Sequence, residues 1–343
     1  MKGAMKALVW TAKETLVTEQ REIPTPAPGE ALIKVKYAGI CGSDLSIYNG
    51  KHPRATPPLI MGHEFSGVIV EINPLEATDF KVGDRVVPEP LIPCGKCFAC
   101  KSGLSYVCQY LGLYGIDEEG AFAEYVKIPI RLLYMIPENL AFDVAALIEP
   151  FAVTVHAVRR SSIRLGDTVC VLGGGPIGLL TALVARLSGP ERVVVCELQP
   201  YRVRLAREFG IEVIDTSQAD PVEEINRITD GRGADVVFEA AGAEQTALLA
   251  PRLCRVHGEI IIISMPKVPR LMDFVAITFR EATIKGTKVY APYDFQRAIQ
   301  IMATSDIDMR KFISPPYTLE EGEAAFQAAI EARDVMKVIF KLE

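Results

Sequence analysis

The sequence predicts an α/β protein with two domains, a barrel of short strands followed by a doubly wound parallel sheet. Three observations support this prediction. The length of 343 residues is sufficient for two separate cores. The first part of the chain carries short apolar runs between turn residues, and strand-like and helix-like stretches alternate from Val153 onward. We expect domains at residues 1–152 and 153–289 and a C-terminal segment at 290–343.

Short strands account for the first domain. Residues 5–10 and 31–38 are apolar runs, and the connector between them is rich in proline and ends at Gly29. Residues 65–72 form a β-branched run, and a further strand begins at Asp84. Short strands at this spacing favour an open barrel.

Four cysteines follow these strands within fifteen positions. Two residues separate each of the first pairs and seven precede the last, and the four are Cys94, Cys97, Cys100 and Cys108. Disulfides are the first alternative, but nothing in the chain reads as a secretory signal. A ferredoxin cluster requires a shorter final spacing and a proline, whereas Gln109 follows the last cysteine. The spacing therefore predicts a structural zinc held by four thiolates.

A second group of metal-ligating residue types lies between the strands. Cys41 and His63 are each flanked by glycine, which leaves room for backbone near a bound ion. A catalytic zinc takes three protein ligands and keeps one position open. Glu149, in an apolar run, and Glu64 are the two candidates for the third ligand. Taken singly, these residues would be a buried thiol, a hydrogen-bonded histidine and a helix-starting glutamate. Their co-occurrence favours metal.

The second domain begins with a dinucleotide-binding pattern. An apolar strand at 169–172 leads into a glycine-rich turn and a helical stretch at 177–187, and the next strand, 193–196, precedes an acidic residue. That acid, Glu197, would bind the ribose hydroxyls and repel a 2′-phosphate, so NAD is preferred over NADP. Arg202 lies near enough to meet a phosphate, pair with Glu197 or stack near adenine. The predicted cofactor-binding residues are Gly173, Gly175, Pro176, Ile177, Gly178, Glu197 and Arg202.

The remaining elements follow the same alternation. We expect strands at 213–215, 235–238 and 259–264, helices at 295–304 and 319–332, and a last strand at 335–342. Cys170, Cys196 and Cys254 lack metal-like spacing and are expected in the core.

Composition excludes several classes of partner. A net charge of −6 and a pI near 5.5 argue against a nucleic-acid partner. The uncharged stretch 168–185 contains Gly173-Gly174-Gly175-Pro176, so it is not expected to span a membrane. Eight cysteines without a secretory signal indicate a reducing cytoplasm.

Besides the four-cysteine stretch, the chain contains in order the motifs Cys41-Gly-Ser-Asp44, Gly62-His-Glu64, Gly83-Asp-Arg85, Gly120-Ala-Phe-Ala-Glu124 and Glu149-Pro150. This order of motifs resembles that of the zinc-dependent medium-chain alcohol and polyol dehydrogenases, including sorbitol, threonine and butanediol dehydrogenases. The resemblance implies a GroES-like catalytic domain, a Rossmann domain and a C-terminal return to the first domain. It also implies a homo-oligomer, a dimer or a tetramer, acting on a small-molecule alcohol.

The resemblance also assigns roles to individual positions. Cys41, His63 and Glu149 correspond to the catalytic zinc ligands, and Glu64 to a carboxylate that binds the metal directly or holds its water. In the same way, Ser43 corresponds to the hydroxyl that takes the alcohol proton, Asp44 to the acid that orients the histidine, and Tyr290 to a substrate-pocket tyrosine.

The sequence departs from the resembling enzymes at two positions. Ser46 stands where a proton-relaying histidine is common, so Ser46 with water, His52 or the cofactor ribose would carry the proton onward. Val289 stands where polyol dehydrogenases often have arginine. The predicted function is NAD-dependent, zinc-dependent oxidation of a secondary alcohol or polyol. L-threonine 3-dehydrogenase is the alternative among enzymes, and a zinc-stabilised NAD-binding protein without turnover is the alternative outside them.

Overall fold

The computed structural model describes residues 3–342. The chain divides into two compact units. Unit 1 comprises the chain up to Pro150 together with the segment from Ala291 onward, and unit 2 runs from Phe151 to Tyr290. Among the described residues, no helix has the length and apolar character needed to cross a membrane.

The first part of unit 1 consists of short strands with three short helices between them. Residues 7–10 of β1 and 31–33 of β3 are apolar and buried, which explains why these runs form strands. The elements are β1 (Ala4–Ala12), β2 (Thr15–Glu22), β3 (Glu30–Gly39), α1 (Gly42–Tyr48), β4 (Leu59–Ile60), β5 (Glu64–Asn73), β6 (Arg85–Pro88), β7 (Leu91–Ile92), α2 (Phe98–Lys101), β8 (Gly112–Leu113), β9 (Tyr125–Pro129), β10 (Leu133–Met135) and α3 (Phe142–Ala145).

Unit 2 alternates strand and helix after a helix that begins before the unit boundary. The elements are α4 (Ile148–Arg160), β11 (Thr168–Leu172), α5 (Pro176–Arg186), β12 (Arg192–Glu197), α6 (Pro200–Glu208), β13 (Glu212–Asp215), α7 (Pro221–Ile228), β14 (Ala234–Glu239), α8 (Glu244–Leu253), β15 (Cys254–Ile262), α9 (Phe274–Arg280) and β16 (Thr283–Gly286).

The six strands of unit 2 form one parallel sheet in the order β13-β12-β11-β14-β15-β16. Every residue of β11 is buried, as expected for a strand covered on both faces. The strand order reverses between β11 and β14, and ligands of such sheets bind at the carboxyl ends of the strands at this point.

The last segment returns to unit 1. Its elements are α10 (Pro292–Thr304), α11 (Gly322–Glu331) and β17 (Ile339–Lys341). The main sheet of unit 1 has the order β10-β6-β5-β3-β17, with β9 also paired to β3, and β2-β1-β4 form a second sheet. Ile339 lies opposite Gly39, so β17 runs antiparallel to β3. Phe340 of β17 packs against Phe122, with ring centroids 5.0 Å apart.

These sheets confirm the predicted α/β fold class, although some predicted elements differ. β2 was not predicted, because its sequence is mostly polar. The last strand is shorter than the predicted 335–342, since Lys337 forms only an isolated bridge to Ile313 before β17 begins. β15 begins at Cys254, earlier than predicted.

Candidate functional site

Cys41, His63 and Glu64 meet at one end of the main sheet of unit 1. Cys41 precedes α1, His63 precedes β5, and Glu64 is the first residue of β5. Pairing of Gly39 with Glu64 across β3 and β5 brings the two strand ends together. Each of the three side chains offers one donor atom, and these atoms lie within 4.8 Å of one another. The sulfur, nitrogen and oxygen are therefore close enough to share one ion.

Asp44 faces the histidine of this group. Its Oδ2 accepts a hydrogen bond of 2.8 Å from the Cys41 backbone N–H, which caps α1. Its Oδ1 lies 3.8 Å from His63 Nδ1, and neither atom has a hydrogen bond to a described residue although both are buried. A metal on Nε2 would make Nδ1 a donor to this carboxylate. The donor set and these two unsatisfied atoms fit a zinc ion.

Burial and charge act in opposite directions on His63. Burial lowers the pKa of His63, but the negative charges of Cys41 and Asp44 raise it, and the net result is a pKa well above the ordinary value. Burial also raises the pKa of Asp44. The pocket therefore favours a positive charge at the histidine, which a bound cation would supply.

Lys337 is a member of this site that the sequence did not predict. It is buried, with 5% of its surface exposed, and forms an ion pair with Glu64 Oε2. Burial lowers the pKa of Lys337, but the charges of Glu64 and Cys41 outweigh it and the pKa is raised, so the ammonium stays charged. The only sequence signal was a lysine inside an apolar run near the C-terminus.

Glu149 lies near the site but outside the group of three. It is the second residue of α4 and is 6% exposed. Its charge contributes to raising the pKa of both His63 and Lys337, which indicates proximity. However, among the described residues, the group at this site whose donor atoms all lie within 4.8 Å of one another consists of Cys41, His63 and Glu64 and does not include Glu149.

The other predicted catalytic and substrate residues occupy different environments. Ser43 is half-buried, and its Oγ is buried without a hydrogen bond to a described residue. Ser46 is buried in α1. His52 accepts hydrogen bonds through Nδ1 from the backbone N–H groups two and three residues further on, at 3.3 and 3.2 Å. Tyr290 is fully buried at the end of unit 2, and its role in substrate binding stays a prediction.

The four-cysteine group forms a separate cluster of sulfurs. All four thiols are free, and their sulfurs lie within 4.8 Å of one another. Cys97 Sγ lies 3.5 Å from Cys100 Sγ and 3.7 Å from Cys108 Sγ. A tetrahedral zinc with bonds of about 2.3 Å requires sulfurs about 3.8 Å apart, so the cluster fits a structural zinc site. Backbone N–H groups of Cys100 and Gln109 lower the pKa of Cys97 to about 6.

The glycine-rich turn of unit 2 follows β11 at the point where the strand order reverses. A Cβ added to Gly178 would lie 1.8 Å from the carbonyl oxygen of Gly173, so only glycine permits this approach of helix and strand. α5 begins at Pro176 with Gly175 as its N-cap, so its first backbone N–H groups can meet a phosphate.

Glu197, at the end of β12, is hydrogen-bonded to this turn. Its Oε2 accepts a hydrogen bond of 2.7 Å from Gly174 N–H, and its Oε1 accepts from the Leu198 and Gln199 N–H groups at 2.7 and 2.8 Å. Arg202 Nη1 lies 3.9 Å from Oε2. The carboxylate is therefore fixed beside the glycine-rich turn.

Two stretches of the chain match known families. Residues 27–138 match the family described as alcohol dehydrogenase GroES-like domain, and residues 176–304 match the family described as zinc-binding dehydrogenase. The first stretch contains both candidate metal groups, the one with Cys41, His63 and Glu64 and the one with four cysteines. Glu149 and Lys337 lie outside it. Together the two matches confirm the predicted GroES-like and Rossmann architecture.

Individual relatives extend over nearly the whole chain. A sorbitol dehydrogenase of Halalkalibacterium halodurans is 37% identical over 342 residues, which is 98% of each chain. An L-threonine 3-dehydrogenase of Bacillus licheniformis is 34% identical over 334 residues, 95% of this chain and 96% of the relative. The crystal structure of 2R,3R-butanediol dehydrogenase from Bacillus subtilis superposes with a TM-score of 0.91 at 33% identity and covers 98% of this chain and 99% of its own.

The metal groups, the dinucleotide turn and these relatives agree on one family. The predicted enzyme class and the predicted need for zinc and a nicotinamide cofactor are confirmed. The chain belongs to the zinc-containing medium-chain alcohol dehydrogenase family and is a zinc-dependent NAD(P) oxidoreductase of the alcohol and polyol dehydrogenase type.

Proposed function

We propose that the chain transfers hydride between a secondary alcohol or polyol, such as a sugar alcohol, a sugar acid or a diol, and NAD. The observation that carries this proposal is the group of Cys41, His63 and Glu64, whose donor atoms lie within 4.8 Å of one another. A thiolate, an imidazole and a carboxylate make three protein ligands, the number that a catalytic zinc takes while it keeps a position for substrate.

The side chains around this group would have distinct tasks. Cys41 and His63 would hold the zinc together with a carboxylate from Glu64 or Glu149. When bound, the zinc supplies positive charge that lowers the pKa of a substrate hydroxyl. Asp44 would keep the His63 ring in position through Nδ1, 3.8 Å from its Oδ1.

Proton transfer would begin at Ser43. Its Oγ is buried and makes no hydrogen bond to a described residue, so it can accept one from a substrate hydroxyl. Onward transfer would use Ser46 with water, His52 or the cofactor ribose. His52 is the weakest of these candidates, because its Nδ1 already accepts two backbone hydrogen bonds.

The preference for NAD would depend on Glu197. The carboxylate is fixed by three backbone N–H groups, and it would accept hydrogen bonds from the two ribose hydroxyls. A 2′-phosphate in the same place would meet a negative charge. Gly173, Gly175, Pro176, Ile177 and Gly178 would line the pyrophosphate with backbone.

L-threonine 3-dehydrogenase is the second candidate, because a relative with that activity in its name is 34% identical over nearly the whole chain. Threonine carries a carboxylate that needs a cationic partner. The buried cation near the metal group, Lys337, is already paired with Glu64. Polyols therefore remain the better-supported substrate class.

The test is a substrate panel with the zinc-replete protein. Polyols, diols, sugar acids and L-threonine are offered with NAD, and NADH absorbance is followed. We expect turnover with at least one polyol or diol, and loss of turnover in Cys41→Ala. Cys254→Ala, which removes a buried thiol from unit 2, is the control and should retain activity. Turnover of threonine alone would favour the second candidate, and full activity of Cys41→Ala would contradict the proposed site.

We also propose a cytoplasmic location and a homo-oligomeric state. The four-cysteine group requires reduced thiols to bind zinc, and reducing conditions prevail in the cytoplasm. Light scattering coupled to size-exclusion chromatography would distinguish a dimer or tetramer from a monomer.

A further inference from the structure

A buried glutamate stands at the carboxyl end of β14, beside the point where the strand order reverses. Glu239 is the last residue of β14 and is 2% exposed. Its Oε1 accepts hydrogen bonds from the Ala241 and Gly242 N–H groups at 3.1 and 2.9 Å and from Thr246 Oγ at 2.7 Å. Its Oε2 accepts one from Ser264 Oγ. None of these four donors is a cation, so hydrogen bonds from neutral groups compensate the burial of the carboxylate.

The four donors belong to three different segments of unit 2. Two are backbone groups of the turn 240–242, which follows β14. Thr246 lies in the first turn of α8, and Ser264 follows β15. The backbone carbonyl of Glu239 also accepts from the Ile263 and Ser264 N–H groups, at 2.9 and 3.1 Å. One residue therefore joins the turn 240–242 to the start of α8 and to the end of β15.

The turn 240–242 packs directly against the glycine-rich turn. A Cβ added to Gly173 would lie 2.9 Å from Ala241 Cβ and 3.2 Å from both Ala241 Cα and Ala241 N, so the two backbones are in contact. The Ala240 N–H donates to the carbonyl oxygen of Leu172, the last residue of β11, at 3.0 Å. The position of the turn 240–242 therefore limits where Gly173 can lie.

The glycine-rich turn is held from both sides in this way. β12 and β14 are the two neighbours of β11 in the sheet, and each ends in a buried glutamate. Glu197 accepts a hydrogen bond from the Gly174 N–H. Glu239 fixes the turn that contacts Gly173. The first N–H groups of α5, which can meet a phosphate, follow directly. A turn that is already ordered costs less conformational entropy when a ligand binds.

We propose that Glu239 is a positioning residue for the dinucleotide, because its hydrogen bonds to the turn 240–242 hold the glycine-rich turn in the shape that receives the pyrophosphate. This inference deepens the cofactor-binding part of the proposed function and does not depend on which alcohol is oxidised. The action requires the hydrogen bonds and not the charge. Glutamine can retain these contacts, since its amide oxygen can replace Oε1 and its NH2 group can donate to Ser264 Oγ.

The test measures NADH binding by fluorescence titration of the zinc-replete protein. We expect Glu239→Ala to weaken binding by about 10–100-fold, the size expected when buried donors that shape a ligand site lose their acceptor. Glu239→Gln should bind within about threefold of the unmodified protein.

Glu259→Ala is the matched control. Glu259 is also buried, at 4% exposed, and accepts hydrogen bonds from the Ser162 N–H and Oγ at 2.7 and 3.1 Å. It lies towards the amino ends of the strands, however, because it pairs with Thr283, the first residue of β16. Glu259→Ala should lower the melting temperature and still bind NADH as the unmodified protein does.

Hydrogen exchange separates positioning of the glycine-rich turn from a general loss of stability. The N–H groups of Gly173 and Gly174 both donate to residues of β12, at 2.9 and 2.7 Å, so their slow exchange reports an ordered turn. In Glu239→Ala these amides should exchange faster, together with those of residues 240–247. In Glu259→Ala both sets should exchange as in the unmodified protein.

Three results would overturn the inference. The first is a folded Glu239→Ala that binds NADH within threefold of the unmodified protein. The second is a Glu239→Gln as weak as Glu239→Ala, which would make the charge the active property. If Glu239→Ala does not fold, Thr246→Val/Ser264→Ala decides, because it removes both hydroxyl donors and changes side-chain volume little. This double variant should bind NADH at least threefold more weakly. Normal affinity would be the third contradicting result. A protein that shows the expected NADH binding but oxidises no alcohol would refute the proposed function and leave this inference standing.

Discussion

Replacing Glu197 by alanine is expected to move the cofactor preference from NAD towards NADP. Glu197 holds its carboxylate beside the glycine-rich turn through bonds of 2.7 to 2.8 Å from three backbone N–H groups. In Glu197→Ala these N–H groups become available to an anion. Arg202, whose Nη1 lies 3.9 Å from the present carboxylate, adds a positive charge on the same side.

The size of the effect follows from two contributions. NAD loses hydrogen bonds to a charged acceptor, worth about 1.5–3 kcal/mol. For NADP, the substitution removes the repulsion between the carboxylate and the 2′-phosphate and so favours binding. At about 4 Å and an effective dielectric constant of about 20, this repulsion amounts to about 4 kcal/mol before further screening by solvent. Allowing for that screening, we expect a combined change of about 3 kcal/mol, or roughly 150-fold in the ratio of kcat/KM for NAD and NADP.

The assay compares kcat/KM for the two cofactors at saturating alcohol. Glu197→Ala/Arg202→Ala should lose most of the gain for NADP, because the cation is absent. Glu212→Ala is the control, since Glu212 is an exposed carboxylate on the neighbouring strand β13 that pairs with Arg192. A cofactor ratio for Glu197→Ala within about threefold of the unmodified protein would refute the role given to this carboxylate.

Three further predictions concern the metal groups and the turn. Asp44→Asn should weaken zinc binding at the catalytic site by about 10–100-fold and leave NAD binding intact, measured by chelator competition and calorimetry; unchanged affinity would contradict the orienting role. In metal-free protein at pH 7, Cys97, with a pKa of about 6, is a thiolate and should be alkylated before Cys100, whose pKa is raised to about 12 mainly by burial. The reactivity of Cys97 should fall below pH 6, and bound zinc should protect both Cys97 and Cys100 from alkylation. Peptide mass spectrometry measures the order in which the two cysteines are alkylated. Gly178→Ala should weaken NADH binding in a fluorescence titration, because its Cβ would strike a backbone oxygen, whereas Gly286→Ala, with no atom within 4 Å, should not.

The dinucleotide turn was predictable because its parts are close together in the sequence. Gly173 directly follows a strand, and Glu197 ends the next one, so one strand–helix–strand unit brings them together. The structure adds the hydrogen bond from Gly174 to Glu197, which spacing alone does not reveal. The four-cysteine group was predictable for the same reason.

The candidate metal group of unit 1 was predictable only in part. Cys41, His63 and Glu64 come together through the pairing of two strands that the apolar pattern identified. The choice between Glu64 and Glu149 depends on distances that no local pattern encodes. Lys337 could not be found from the sequence, because it reaches Glu64 through the pairing of β17 with β3, strands at opposite ends of the chain.

Strand prediction failed where burial is incomplete. β2 pairs with β1 along nearly its whole length, yet only one of its eight residues is buried. A strand that is held by backbone hydrogen bonds and faces solvent on much of its surface lacks the apolar alternation from which strands are recognised.

The pairing of β17 with β3 has a consequence for biosynthesis. During translation, the segment that carries Cys41, His63 and Glu64 leaves the ribosome long before Lys337 and β17 are made. A nascent chain arrested before that point would leave the end of β3 without its partner strand β17, and Glu64 without the cation of Lys337. Truncated products would therefore expose backbone groups on which the strand of another chain can pair.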